Sequence, residues 1–123
     1  MPIQLEIFHP DRIVIAVARG HVTLEDYGGL LAEIVKADVT HYRKIIDSTD
    51  AESDAIDLEL LLQADELTRG LNSRPRGPLA LVVSRARGEM ARGFQERSTD
   101  RPIGVFSNIH EARVWLRTLP IVE

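Results

Sequence analysis

Strands and helices alternate along this sequence in the order ββαβαβαβα, which predicts an α/β domain: a mixed, mostly parallel five-stranded sheet with an N-terminal β-hairpin and four helices. Two observations carry the prediction. Strand-like segments recur at residues 12–18, 44–47, 79–83 and 102–106, and between them apolar residues return at helical spacing. Turn residues or capping sequences separate one kind of pattern from the other.

The elements follow in order. Ile3, Leu5 and Ile7 alternate with Gln4 and Glu6, and residues 12–18 are almost wholly apolar, so both segments read as strands joined through His9, Pro10 and Asp11. Arg19, Gly20 and His21 end the second strand. Thr23 with Asp26 then fits a capping box, and Leu24, Tyr27, Leu30, Leu31, Ile34 and Val35 give the first helix one buried face. Gly28 and Gly29 within it cost about 1 kcal/mol each relative to Ala, a cost that close packing against a strand would explain. Lys44, Ile45, Ile46 and Asp47 make a short third strand; residues 48–57 are polar and acidic, with Asp54 and Asp57 as a second cap. Leu58, Leu61, Leu62, Leu67 and Leu71 resume helical spacing. Residues 74–78 break that helix, and residues 79–83 read as a central strand buried on both faces. Ala86, Met90 and Phe94 mark a third helix. A fifth strand at residues 102–106 and a helix capped by Asn108 with Glu111, carrying Ala112, Trp115, Leu116 and Leu119, complete the chain. If the strands keep chain order, right-handed crossovers gather the helices on one face and leave the other open to a dimer contact.

With 123 residues, 44% of them hydrophobic, the chain suits a single domain spanning residues 1–123. Its 28% charged residues carry mixed signs and a net charge of −4, which argues against a nucleic-acid partner. Arg85, Arg87 and Arg92 form a local basic run, but Glu89 and Glu96 interrupt it, as on a solvated helix face. There is no cysteine, so disulfides, thiolate catalysis and cysteine zinc sites are excluded. No leader-like segment or bilayer-length apolar run is present, and the expected location is cytoplasmic.

Residues 13–20, Lys44-Ile45-Ile46-Asp47, residues 79–83, and Gly104-Val105-Phe106 leading to Ala112, Trp115 and Leu116 resemble the SpoIIAA-like, STAS-type domains. The resemblance covers essentially the whole chain. Within that group it is most similar to short stand-alone bacterial proteins of the STAS/SEC14-like branch, most of them without an assigned activity. It implies a mixed sheet flanked by helices and, in the best-understood members, a switch in which a serine after the third strand is phosphorylated within Asp-Ser-Ser-Gly. Here Asp47 is followed by Ser48, Thr49, Asp50, Ala51, Glu52, Ser53, Asp54 and Ala55. Ser53 is the nearest phosphorylation candidate, yet Glu52, Asp54 and Asp57 would repel its phosphate. A cap formed by Ser53 or Asp54 is the simpler role.

Ligands of parallel sheets gather at the carboxyl ends of the strands. Those ends supply His21, Asp47, Ser48, Thr49, Ser84, Arg85 and Arg87, ligand-binding candidates for a small anion or carboxylate, with caps and turns as their plainer role. Asp50, Glu52 and Asp54 alternate like calcium ligands, but Ala55 and Leu61 replace the required Gly and Glu. His9, His21, His41 and His110 lack metal-ligand spacing. Asp47 with His21 is the one conceivable acid–base pair. Trp115, Tyr27 and Phe106 read as core. The sequence therefore suggests a non-enzymatic regulatory or protein-interaction module without cofactor or metal, pairing with a protein partner or with itself as a homodimer. The alternative is a binder of a small apolar or anionic ligand such as a lipid or other amphiphile, and an enzyme using the strand-end rim comes third.

Overall fold

Five strands form one sheet in chain order, β1 (Ile3–Phe8), β2 (Ile13–His21), β3 (Arg43–Glu52), β4 (Leu79–Val82) and β5 (Ile103–Phe106), in a computed structural model that describes residues 2–52, 58–69, 71 and 74–120. The first pair is antiparallel and the other three are parallel. Four helices, α1 (Leu24–Lys36), α2 (Leu58–Glu66), α3 (Gly88–Arg97) and α4 (Ile109–Arg117), complete the described elements in the expected order.

Local chemistry accounts for most boundaries. Arg12 takes a left-handed φ of 50° and returns its N–H to the His9 carbonyl at 3.2 Å, closing the hairpin turn. The Thr23 hydroxyl accepts from the Asp26 N–H while the Asp26 carboxylate accepts from the Thr23 N–H, so the capping box forms in full. Asn108 likewise accepts from the Glu111 N–H at 2.9 Å. The cap expected from Asp54 and Asp57, and the role of Ser53, lie outside the described residues.

Two differences from expectation bear on function. First, β3 does not stop at Asp47: it runs on to Glu52 because Arg19, Gly20 and His21 continue β2 and pair with Asp50, Ala51 and Glu52. Val17 faces Asp47 and Arg19 faces Asp50, so β3 carries one extra residue, a bulge. Second, the helices cover both faces. Val14 and Ala16 of β2 pack with Leu30 and Ile34 of α1, and Leu79 and Ile103 pack with Phe94 of α3 and with Leu58, Leu61 and Leu62 of α2. The alternate residues Ile45, Ala80 and Val82 point the other way and are covered by Ala112 and Leu116 of α4. Among the described residues no strand follows α4, so crossover handedness does not dictate its side. The face expected to be open is therefore occupied across β3 to β5.

The central position of β4 agrees with its sequence, for Leu79, Ala80 and Val82 are buried between β3 and β5. Phe106 and Trp115 pack with ring centroids 5.4 Å apart, as core. Ala86, by contrast, is exposed: residues Arg85–Arg87 form a 3₁₀ turn before α3 begins.

Candidate functional site

The bulge and the long β3 dismantle much of the strand-end rim. Asp47, Ser48 and Thr49 lie within β3 rather than beyond it. The Asp47 carboxylate accepts from the Thr49 N–H at 3.1 Å and the Thr49 hydroxyl at 2.8 Å, which holds the bulge closed. His21 is exposed at the end of β2 opposite Glu52, whereas Asp47 is opposite Val17, about 13 Å away along the strand. No acid–base pair forms between them. Ser84 precedes the 3₁₀ turn without a side-chain capping bond, and Arg85 is exposed. Asp50 and Glu52 are paired strand residues rather than members of a calcium loop, and Asp54 lies outside the described residues. Among the described residues no cluster of three His, Asp or Glu is placed to hold a metal.

Two rim residues do come together. Ser48 and Arg87 line one cavity of about 100 Å³ between the sheet and the layer formed by α1, α2 and α3. Its walls are apolar: Leu30 and Ile34 from α1, Leu61 from α2, Phe94 from α3, and Ile46 and Leu81 from the sheet. The cavity exists because Lys44, Ile46 and Ser48 alternate onto the helix-facing side of β3, and the bulge leaves Ser48 facing α1, where the Tyr27 hydroxyl meets its Oγ at 3.2 Å. Lys44 to Ser48 spans about 13 Å of strand, so this small volume is a narrow slot rather than a round chamber.

The two ends differ in kind. At the Lys44 end the polar groups are buried and most of them are committed, the Arg101 Nε–H being left without a partner. The Lys44 ammonium donates to the carbonyls of Thr40 at 2.7 Å, Tyr42 at 2.8 Å and Gly77 at 3.2 Å. Burial, followed by the charges of Arg101 and Arg76, lowers its pKa to about 7 against the pull of Asp65 and Asp100. Arg76 grips Asp100 with two bonds of 2.7 and 2.6 Å and also donates to the Asp65 carbonyl and the Thr68 hydroxyl. Arg101 pairs with the Asp65 carboxylate at 3.0 Å and donates to the Ser98 hydroxyl and to Asp100. Such a network closes the slot and ties α2 to the starts of β4 and β5.

At the Ser48 end the walls are half open: Tyr27 and Arg87 are only partly buried. The sequence places Ser48 and Arg87 at strand ends; Arg87 does lie beyond the end of β4, whereas Ser48 lies within β3. Nothing in the sequence pattern signals the cluster of Asp65, Arg76 and Arg101, in which Asp65 is met by residues 11 and 36 positions further along the chain.

Comparison with known proteins bears on the fold. No family model matches the chain, and no curated protein matches it. Among solved structures it is similar to an uncharacterised protein of the DUF3478 family with a SpoIIAA-like fold from Shewanella loihica PV-4, at 20% identity over 93% of this chain and 91% of that one, with a TM-score of 0.60. It is also similar to an anti-sigma factor antagonist from Mycobacterium paratuberculosis, at 13% identity over 94% of each chain and a TM-score of 0.58. The chain has the SpoIIAA-like, STAS-type fold. No helix among the described residues is long and apolar enough to cross a membrane.

Proposed function

We propose that this SpoIIAA-like domain is a non-enzymatic binding module that takes a small apolar or amphiphilic ligand between its helical layer and its sheet. The observation that carries this reading is the slot itself, walled by aliphatic and aromatic side chains, closed at the Lys44 end and half open at the other. Its volume, about 100 Å³, is below the roughly 300–1,000 Å³ of a pocket that engulfs a drug-sized molecule, so it suits a short chain and not a whole lipid. An apolar cavity of such size gains nothing from water, which needs polar partners. Filling it restores dispersion contacts that its lining lacks.

The protein-interaction reading stays as the second, on a separate observation. Leu60, Leu67 and Leu71 are 46%, 75% and 60% exposed on and just beyond α2, away from the leucines that α2 buries. One structural neighbour is named as an anti-sigma factor antagonist, which is consistent with a regulatory module that binds a protein. Self-association loses the support of a bare sheet face, because α4 occupies it.

Native mass spectrometry of the protein purified from its own host tests both readings. A retained adduct of one to a few hundred daltons, lost on mild activation, is the expected result. A bare monomer mass, together with no displaceable binding of any short aliphatic compound, overturns the ligand reading. A stable complex with a second polypeptide would favour the alternative.

A further inference from the structure

We infer that the Ser48 end of the slot is a carboxylate site, so that the ligand is a short straight-chain carboxylate lying with its head at Arg87 and its tail toward Lys44; this rests on the ligand reading above. Three observations orient it.

First, Arg87 lines the slot, and among the described residues its guanidinium makes no hydrogen bond or ion pair. An unengaged guanidinium at an apolar mouth presents a planar fork that matches a carboxylate. Second, among the described residues the Tyr27 and Ser48 hydroxyls bond only to each other, at 3.2 Å, longer than a good hydroxyl bond. Two hydroxyls bring two hydrogens and the shared bond uses one, so one remains to donate to an incoming oxygen. Third, the opposite end is more heavily committed: Lys44 serves three carbonyls, and Arg76 and Arg101 are held by Asp65 and Asp100, which leaves the Arg101 Nε–H as its spare donor against a whole guanidinium at Arg87. A second anion there would be set beside Asp65 and Asp100, which already neutralise Arg76 and Arg101, whereas at Arg87 a carboxylate meets a guanidinium with no counter-charge among the described residues. The narrowness of the slot selects an unbranched tail over a branched or cyclic one.

The probes are hexanoate, hexan-1-ol and hexylamine, titrated by calorimetry at pH 7.5 into the wild-type chain and into Arg87→Gln. Hexanoate is expected to bind about tenfold or more tighter than hexan-1-ol, since a charge-assisted bond replaces a neutral one. In Arg87→Gln that advantage shrinks to about twofold, with the larger loss falling on hexanoate. Hexylamine binds weakest. Equal binding of hexanoate and hexan-1-ol to the wild type overturns the carboxylate site and leaves the ligand reading standing. Failure of all three probes to bind overturns both. Arg87 is partly exposed and unpartnered, so Arg87→Gln keeps the fold. Tyr27→Phe, with its hydroxyl removed, gives a second measure: it lowers hexanoate affinity by a larger factor than hexan-1-ol affinity, because the bond to a charged acceptor is the stronger one, and an equal loss for both would count against the site.

Discussion

The Asp65 carboxylate of α2 and the Arg101 guanidinium at the start of β5 form an ion pair 3.0 Å long, with side chains only 5% and 2% exposed. Arg76 joins from the other side, 3.0 Å from the same carboxylate. Truncating Asp65 therefore leaves two guanidinium groups beside each other in the interior, with Asp100 the one carboxylate they share among the described residues. Asp65→Ala is expected to cost about 3–5 kcal/mol, read from urea unfolding. The exposed pair of Arg97 and Glu59 gives the contrast: Arg97→Ala should move the urea midpoint very little. Similar losses for the two variants would refute the distinction.

Acid should expose the same network. Burial works to raise the Asp100 carboxyl, but the hydrogen bonds from Arg76 and the charges of Arg101, Arg76 and Arg69 outweigh it and hold the pKa at about 2. An unfolded Asp titrates near 3.9. Because the folded value is the lower one, the stabilisation is fully present above the unfolded value and is lost as pH falls from about 4 through about 2. Chemical denaturation followed across that range should show a steeper fall for the wild-type chain than for Asp100→Asn. Parallel curves would show that Asp100 does not titrate as described.

Two sets of glycines separate what the sequence makes legible from what it hides. The Gly28-Gly29 pair was visible as a local cost, and close packing was the expected compensation. An added methyl at either position meets nothing within 4 Å, so there is no such packing. Gly29 is exposed in mid-helix, and Gly29→Ala should stabilise the protein by about 0.5–1 kcal/mol in thermal or urea unfolding. An unchanged or lowered stability would reveal a constraint that the helix does not show.

Gly77 is the opposite case. In sequence it reads only as part of a helix-breaking stretch, but a Cβ there would stand 2.3 Å from the His41 carbonyl oxygen and 2.4 Å from that of Tyr42. Its own N–H bonds the Thr40 carbonyl and its carbonyl accepts from Lys44. The neighbours are backbone and cannot swing aside. Gly77→Ala is expected to cost about 1–3 kcal/mol, with the Lys44 end of the slot disturbed as well. Wild-type stability in this variant would contradict the close approach. The need for glycine arises from residues more than thirty positions away, which is why local pattern does not disclose it.

The last prediction concerns Asp47, where the sequence makes the strand legible but not its length or the bulge within it. The apolar pattern of residues 44–46 placed β3 correctly, and Asp47 looked like its end because the following residues are polar. Their polarity is compatible with a strand because β2 continues alongside through Arg19, Gly20 and His21, a pairing between segments about thirty residues apart. Inside a bulged strand, Asp47 serves Thr49, and Ser48 turns to the slot. Neighbouring residues therefore have separable roles. Asp47→Ala removes two hydrogen bonds from a half-buried bulge and should cost about 1 kcal/mol of stability, while hexanoate affinity stays within about twofold, a difference of roughly 0.4 kcal/mol. Ser48→Ala should do the reverse, weakening hexanoate binding with less effect on unfolding. Urea denaturation and calorimetry on the two variants check both halves, and a large loss of hexanoate binding in Asp47→Ala would return Asp47 to the site.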